Sequence, residues 1–244
     1  MRLERKRITD AVSGLVAGIK PRRETVAPAV VLAVLALAIY AFLAIADEVV
    51  EGEIRALDER LLLAMRDPVD PSNPLGPAWL EEAALEITAL GGYALIILAL
   101  CVVTGLLVVT RRYGPALYAV LSVGTGALAS HFFKGYYARP RPDLVDHLDI
   151  VHTASFPSGH AMVTTVAYLT LAALVIRFFD DLRIRIYVAG VALFISILVG
   201  VTRVYLGVHW PSDVAAGWAL GTAWASLNWL IVTLLQYWRH RGGQ

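Results

Sequence analysis

Three short segments hold the residues whose types and spacing could do chemistry on an anion. "KGYYARPRPD" runs from Lys134 to Asp143, "PSGH" from Pro157 to His160, and "TRVYLGVHWPSD" from Thr202 to Asp213. Each arginine of "RPRP" precedes a proline, which favours extended backbone, so Arg139 and Arg141, two apart, are expected to share a face. In "PSGH", Ser158 is a natural helix N-cap and Gly159 lets a ligand approach the backbone. The helix start beyond it offers unpaired N–H groups and a positive dipole end, with His160 on its first turn. His209 and Asp213 stand four apart at the mouth of another helix, where a carboxylate can fix an imidazole's tautomer and support the positive charge it gains as a nucleophile. Arg203 lies six residues before His209. Each segment alone also has an ordinary explanation: juxtamembrane basicity, a plain capping turn, an Asp in a helix's first turn beside a surface His.

The elements that must position these groups are membrane-spanning helices. Of 244 residues, 58% are hydrophobic and 17% charged, with mean hydropathy +0.64; a soluble domain carries about a quarter charged residues. Six stretches are nearly free of charge: Thr25–Ala46, Ile87–Thr110, Tyr113–Ser130, Ala161–Ile176, Ile186–Thr202 and Val214–Trp238. Crossing the hydrocarbon takes roughly 20 apolar residues in a helix. Continuous apolar runs exclude the alternation of a barrel. The expected fold is therefore all-α: a polytopic membrane protein with six transmembrane helices. Gly91 and Gly92, inside the second, are expected to permit close helix packing. The lone cysteine, Cys101, cannot form an intrachain disulfide, and a net charge of +1 gives no case for nucleic acid. The oligomeric state is not legible.

With the N-terminus placed inside, fourteen of the 21 lysines and arginines fall on inner segments. That bias predicts both termini cytoplasmic and the three motif segments facing outward. Residues 1–24 form a basic segment in which Ile8, Val12, Leu15, Val16 and Ile19 share one helical face, a candidate interfacial helix; residues 25–244 form the membrane domain. "AIA" at Ala44–Ala46 resembles a signal-peptidase site, but the apolar run before it is too long for a typical signal core. The outer segment 47–86 contains "IRALDERLLLAM", whose Ile54, Leu57, Leu61, Ala64 and Met65 make an apolar stripe. A short helix lying on the outer membrane face is expected there.

In combination the motifs are far more specific. Lys134, Arg141 and Pro142, then Pro157–His160, then Thr202, Arg203, His209 and Asp213 resemble the three signature segments of the type 2 phosphatidic acid phosphatase family, integral-membrane lipid phosphatases with six spans. Thr202 stands where that family usually has serine. Arg139 falls outside the spacing pattern, and its replacement is expected to be mild beside that of Arg141. The resemblance implies a metal-independent lipid phosphatase with no cofactor. In it Lys134, Arg141 and Arg203 clamp the phosphoryl oxygens, and the backbone at Ser158 and Gly159 adds N–H donors. His209 attacks phosphorus, Asp213 orients its ring, and His160 protonates the leaving oxygen and then activates water. Two histidines and a carboxylate could also hold zinc, but three cations already supply the charge neutralisation and would repel a divalent ion.

The resemblance further implies a lipid phosphate substrate at the bilayer; the short compact layout suggests a bacterial inner membrane, and the Lys and Arg bias puts the site toward the periplasm. Undecaprenyl diphosphate is the first choice, ahead of phosphatidylglycerophosphate and phosphatidate. A lipid phosphotransferase or lipid A phosphatase would use the same site. A transporter or flippase that binds phosphate without hydrolysis is the alternative of another class, although midspan charges and Pro-interrupted helices are missing.

Overall fold

The structure, a computed structural model, describes residues 23–242. The candidate interfacial helix, with its face from Ile8 to Ile19, lies outside them. Among the described residues eight helices follow in order: α1 (Arg23–Glu51), α2 (Arg55–Leu63), α3 (Ala78–Ala89), α4 (Tyr93–Val109), α5 (Tyr113–Tyr137), α6 (Gly159–Ile176), α7 (Leu182–Tyr205) and α8 (Pro211–Gly242). Among the described residues the sole β pairing is an isolated bridge between Arg66 and Pro74. α1, α5, α6, α7 and α8 are long and apolar enough to cross a membrane, and α3 with α4, bent by 44°, makes a sixth crossing if the pair counts as one.

That second crossing differs from the unbroken span expected over Ile87–Thr110. Gly92 takes extended backbone (φ −70°, ψ 144°) as the residue before α4, so the helix restarts there. Gly91 does permit close packing: a Cβ on it would lie 2.5 Å from Thr164 Oγ1 and from Val199 Cγ1.

α6 is the axle of the bundle, packed against α5, α7 and α8, with α1 lying along α8. Its contact with α8 is backbone-close because two glycines one turn apart face it. A Cβ at Gly217 would sit 2.8 Å from the Ser158 carbonyl oxygen, and one at Gly221 would sit 2.7 Å from that of Met162. Small residues at such seams let membrane helices gain van der Waals contact where no hydrophobic force draws them together. This seam also sets the start of α6 against the start of α8, where two of the three motifs lie.

One expectation of position changes, and another gains detail. α5 and α7 run beyond the apolar stretches, so Lys134 and Arg203 are helical residues of the last turns rather than loop residues. α2 forms where its stripe was read, and the face it turns to the bundle is a different one from that stripe. Leu57 and Leu61 are exposed, whereas Asp58 and Leu62 are buried. Leu62 packs with Val145, Ala161, Val204, Trp210 and Val214. The reason is polar: Asp58 Oδ1 accepts the Ser212 N–H at 2.8 Å, satisfying a free amide at the start of α8. An apolar stripe facing outward costs nothing beside lipid, so the carboxylate decides the orientation.

Candidate active site

The end of the bundle where α5 and α7 finish and α6 and α8 begin collects the motif side chains. At the mouth of α8, Asp213 is fully buried and heavily bonded. Its Oδ2 accepts from the Trp210 N–H (2.9 Å) and the Ser155 hydroxyl, and faces His209 Nδ1 at 3.4 Å. The opposite nitrogen of that ring, Nε2, lies 3.3 Å from Arg141 Nη1. Arg141 is anchored by the carbonyl oxygens of Thr153 (2.9 Å) and Val208 (2.5 Å). One imidazole nitrogen therefore faces a carboxylate and the other a cation, which suits a ring that donates from Nδ1 and presents the lone pair of Nε2.

Lys134 lies across Gly159. Its ammonium donates to the Ala154 carbonyl at 2.5 Å, and a Cβ at position 159 would come within 3.2 Å of its Cε. A ~1 Å displacement can cost about 100-fold in rate. Gly159→Ala is accordingly expected to lower kcat/KM 10- to 100-fold while the melting temperature in detergent changes little, read by phosphate release alongside thermal unfolding.

Ser158 caps α6, its hydroxyl accepting the Ala161 N–H at 3.4 Å. Its own N–H donates to the Asp213 carbonyl at 2.9 Å. Ser158 is thus corrected as a backbone donor to phosphate; it positions α6 against α8 instead. The amides of Gly159 and His160 have no hydrogen-bond partner among the described residues. They are the open donors at this helix start.

Arg203, 1% exposed, donates from Nη1 to Thr88 Oγ1 at 3.1 Å and to Asp149 Oδ2 at 2.6 Å, while its Nε is buried without a partner. Asp149 went unread in the sequence. It sits in the irregular segment between α5 and α6, where no periodicity marks a position. Burial works to raise its carboxyl, but the Arg203 hydrogen bond and charge outweigh this and hold it below the ordinary value. A phosphate oxygen bound by Arg203 Nη1 would have to compete with this internal carboxylate. Asp149→Ala is therefore expected to tighten inhibition by vanadate about tenfold, corresponding to ~1.4 kcal/mol, with competitive inhibition constants as the readout.

The two arginines of "RPRP" do not share a face. Arg139 turns beneath the site: Nη1 meets Ser212 Oγ at 2.8 Å and Asp213 Oδ1 at 2.6 Å, and Nη2 meets Asp58 Oδ2 at 2.8 Å. Burial and then the charge of Arg203 pull Arg141 below the ordinary guanidinium value, a sign of positive charge short of anions. Burial pushes His209 down to about 3, against the pull of Asp213. An unfolded histidine, near 6.5, binds a proton that folded His209 refuses. Stability in detergent should then be full above about pH 6.5 and fall as pH drops toward 3. His209→Gln should flatten that acid slope of melting temperature; an unchanged slope would assign it elsewhere.

The model of the PAP2 superfamily matches residues 115–237, and the chain belongs to that family. It is a membrane protein and a phosphatase. Phosphatidylglycerophosphatase B of Bacillus subtilis is 34% identical over 149 residues, 59% of this chain and 70% of that protein. An undecaprenyl-diphosphatase of Sulfolobus acidocaldarius is 39% identical over 72 residues, 30% of either chain. The crystal structure of the first transmembrane PAP2 type phosphatidylglycerolphosphate phosphatase from Bacillus subtilis superposes with a TM-score of 0.69 at 28% identity, covering 80% of this chain and 93% of that one.

Proposed function

We propose that the protein hydrolyses a phosphomonoester or diphosphate on a membrane lipid through a phosphohistidine at His209. The observation that carries this reading is the pair of neighbours of one imidazole, Asp213 at Nδ1 and Arg141 at Nε2. In the first step Nε2 attacks phosphorus, an N–P bond forms, and the P–O bond to the lipid breaks. His160 gives its proton to the departing oxygen. In the second step His160 takes a proton from water, the water oxygen attacks phosphorus, and the N–P bond breaks to release phosphate. Lys134, Arg141 and Arg203, with the Gly159 and His160 amides, balance the charge spread over the transferring oxygens.

Undecaprenyl diphosphate and phosphatidylglycerophosphate head the substrates. The similarity to a phosphatidylglycerophosphatase spans more of the chain than that to an undecaprenyl-diphosphatase, which favours phosphatidylglycerophosphate. The excess of Lys and Arg on the segments opposite the site supports a site facing away from the cytoplasm of a bacterial inner membrane, with both termini cytoplasmic.

The test is release of inorganic phosphate by purified protein from a panel of lipid phosphates, with chelator present throughout. Turnover of one lipid far above the others names the substrate. Binding without turnover points to a flippase. Loss of activity on adding chelator would overturn the metal-independent mechanism, and transfer of phosphate to a lipid hydroxyl would make the enzyme a phosphotransferase.

A further inference from the structure

At the far end of the same helices a second feature stands apart from the catalytic reading. A cavity of about 660 Å³ opens between α1, α5, α6, α7 and α8, walled by apolar side chains such as Val34, Leu169, Leu193 and Trp229. Its volume falls within the roughly 300–1,000 Å³ of small-molecule sites. Arg177 and Arg185 line it, and Arg177 also lines an adjoining cavity of about 320 Å³ together with Arg239. Arg177 donates to Gln236 Oε1 at 3.1 Å. None of the three arginines forms an ion pair among the described residues. The nearby Asp181 is engaged with the Arg183 N–H as the cap of α7.

We infer that this cavity binds an anionic glycerophospholipid of the leaflet opposite the candidate active site, with an acyl chain among the apolar walls and the phosphate on Arg177 and Arg185. The walls belong to membrane-crossing helices, so hydrocarbon chains are what they meet. A neutral lipid would fill the walls and leave the guanidinium groups without an anion. A net anionic phosphodiester satisfies both: guanidinium forks match its two free oxygens, basic pockets between transmembrane helices suit anionic headgroups, and, unlike a choline lipid, it brings no ammonium to cancel its charge beside Arg177 and Arg185. Substrate at the catalytic end is not the occupant. Arg177 follows His160 by seventeen helical residues, about 26 Å along α6, close to a full hydrocarbon thickness.

The probe is phosphatidylglycerol, a diester, compared with phosphatidylcholine on detergent-purified full-length protein. Native mass spectrometry is expected to retain one phosphatidylglycerol on the wild type and no phosphatidylcholine, with melting raised by the anionic lipid alone. Arg177→Gln with Arg185→Gln should weaken that retention at least tenfold and leave phosphate release from a soluble substrate unchanged. Ala189→Phe, which fills the cavity and keeps the arginines, should expel the lipid too. Arg203→Ala should not. Equal retention of the two lipids overturns the proposal, as does unaltered retention by the double glutamine variant. Loss of the lipid from Arg203→Ala would place it in the catalytic site. A dimer that dissociates in the glutamine variant, with no lipid difference, would show a second copy covering the cavity.

Discussion

His209→Ala is expected to reduce kcat/KM by at least about 10⁴-fold, a size typical of removing a nucleophile that acts as one unit with its partners. Melting temperature should stay near that of the wild type. The ring is buried, yet its bonds to the scaffold run through Asp213, which keeps the Trp210 amide, the Ser155 hydroxyl and Arg139 when the ring is gone. The chemical signature is sharper than the rate. Brief reaction with a radiolabelled lipid phosphate and quenching in base should leave an acid-labile, base-stable phosphoryl group on the wild type and none on His209→Ala. His160→Ala provides the contrast. Without the proton donor, poor leaving groups should suffer more than good ones. With a good leaving group the phosphoenzyme should accumulate, because the second step also lacks its base. A base-stable phosphoryl group surviving in His209→Ala would move the nucleophile elsewhere.

The parts that could be read from sequence were those with a period or a fixed spacing. Apolar runs of span length mark their helices because lipid leaves the backbone no other way to pair its polar groups. "PSGH" marks the start of α6 because an N-cap is a local device. What could not be read depended on partners far along the chain. Asp58 lies 154 residues from the Ser212 amide it accepts. The helical period alone marked the stripe of Leu57 and Leu61 on α2 but not the face of Asp58 and Leu62 that meets the bundle, since periodicity reports amphipathicity without telling core from lipid. Asp149, 54 residues from Arg203, sits in an irregular segment and leaves no pattern. The break at Gly91 and Gly92 was visible as two glycines, but packing was only half of what they do.

The same long-range pairing reverses the expectation for Arg139. Spacing alone set it aside, and its loss was to be mild. In the structure it lies between two carboxylates that are 1% and 0% exposed, Asp58 and Asp213, with its guanidinium 5.7 Å from the Trp210 ring centre. Removing one partner of such a buried pair costs about 3–5 kcal/mol, because an uncompensated charge stays behind. Arg139→Ala is therefore expected to lower the melting temperature strongly and to lower kcat, since Asp213 loses the bond that fixes its Oδ1. Because Arg139 donates to Asp58, Ser212 and Asp213 and not toward His209 Nε2, KM and vanadate affinity should change little. Arg141→Ala should do the reverse, raising KM and weakening vanadate with a smaller stability cost. Asp58→Asn separates the two carboxylates' claims. Combined with Arg139→Ala, it should recover part of the lost stability by removing one stranded charge, but not the lost kcat, which depends on Asp213. A mild Arg139→Ala, or one that weakens vanadate as much as Arg141→Ala, would mean that this guanidinium reaches the phosphate after all.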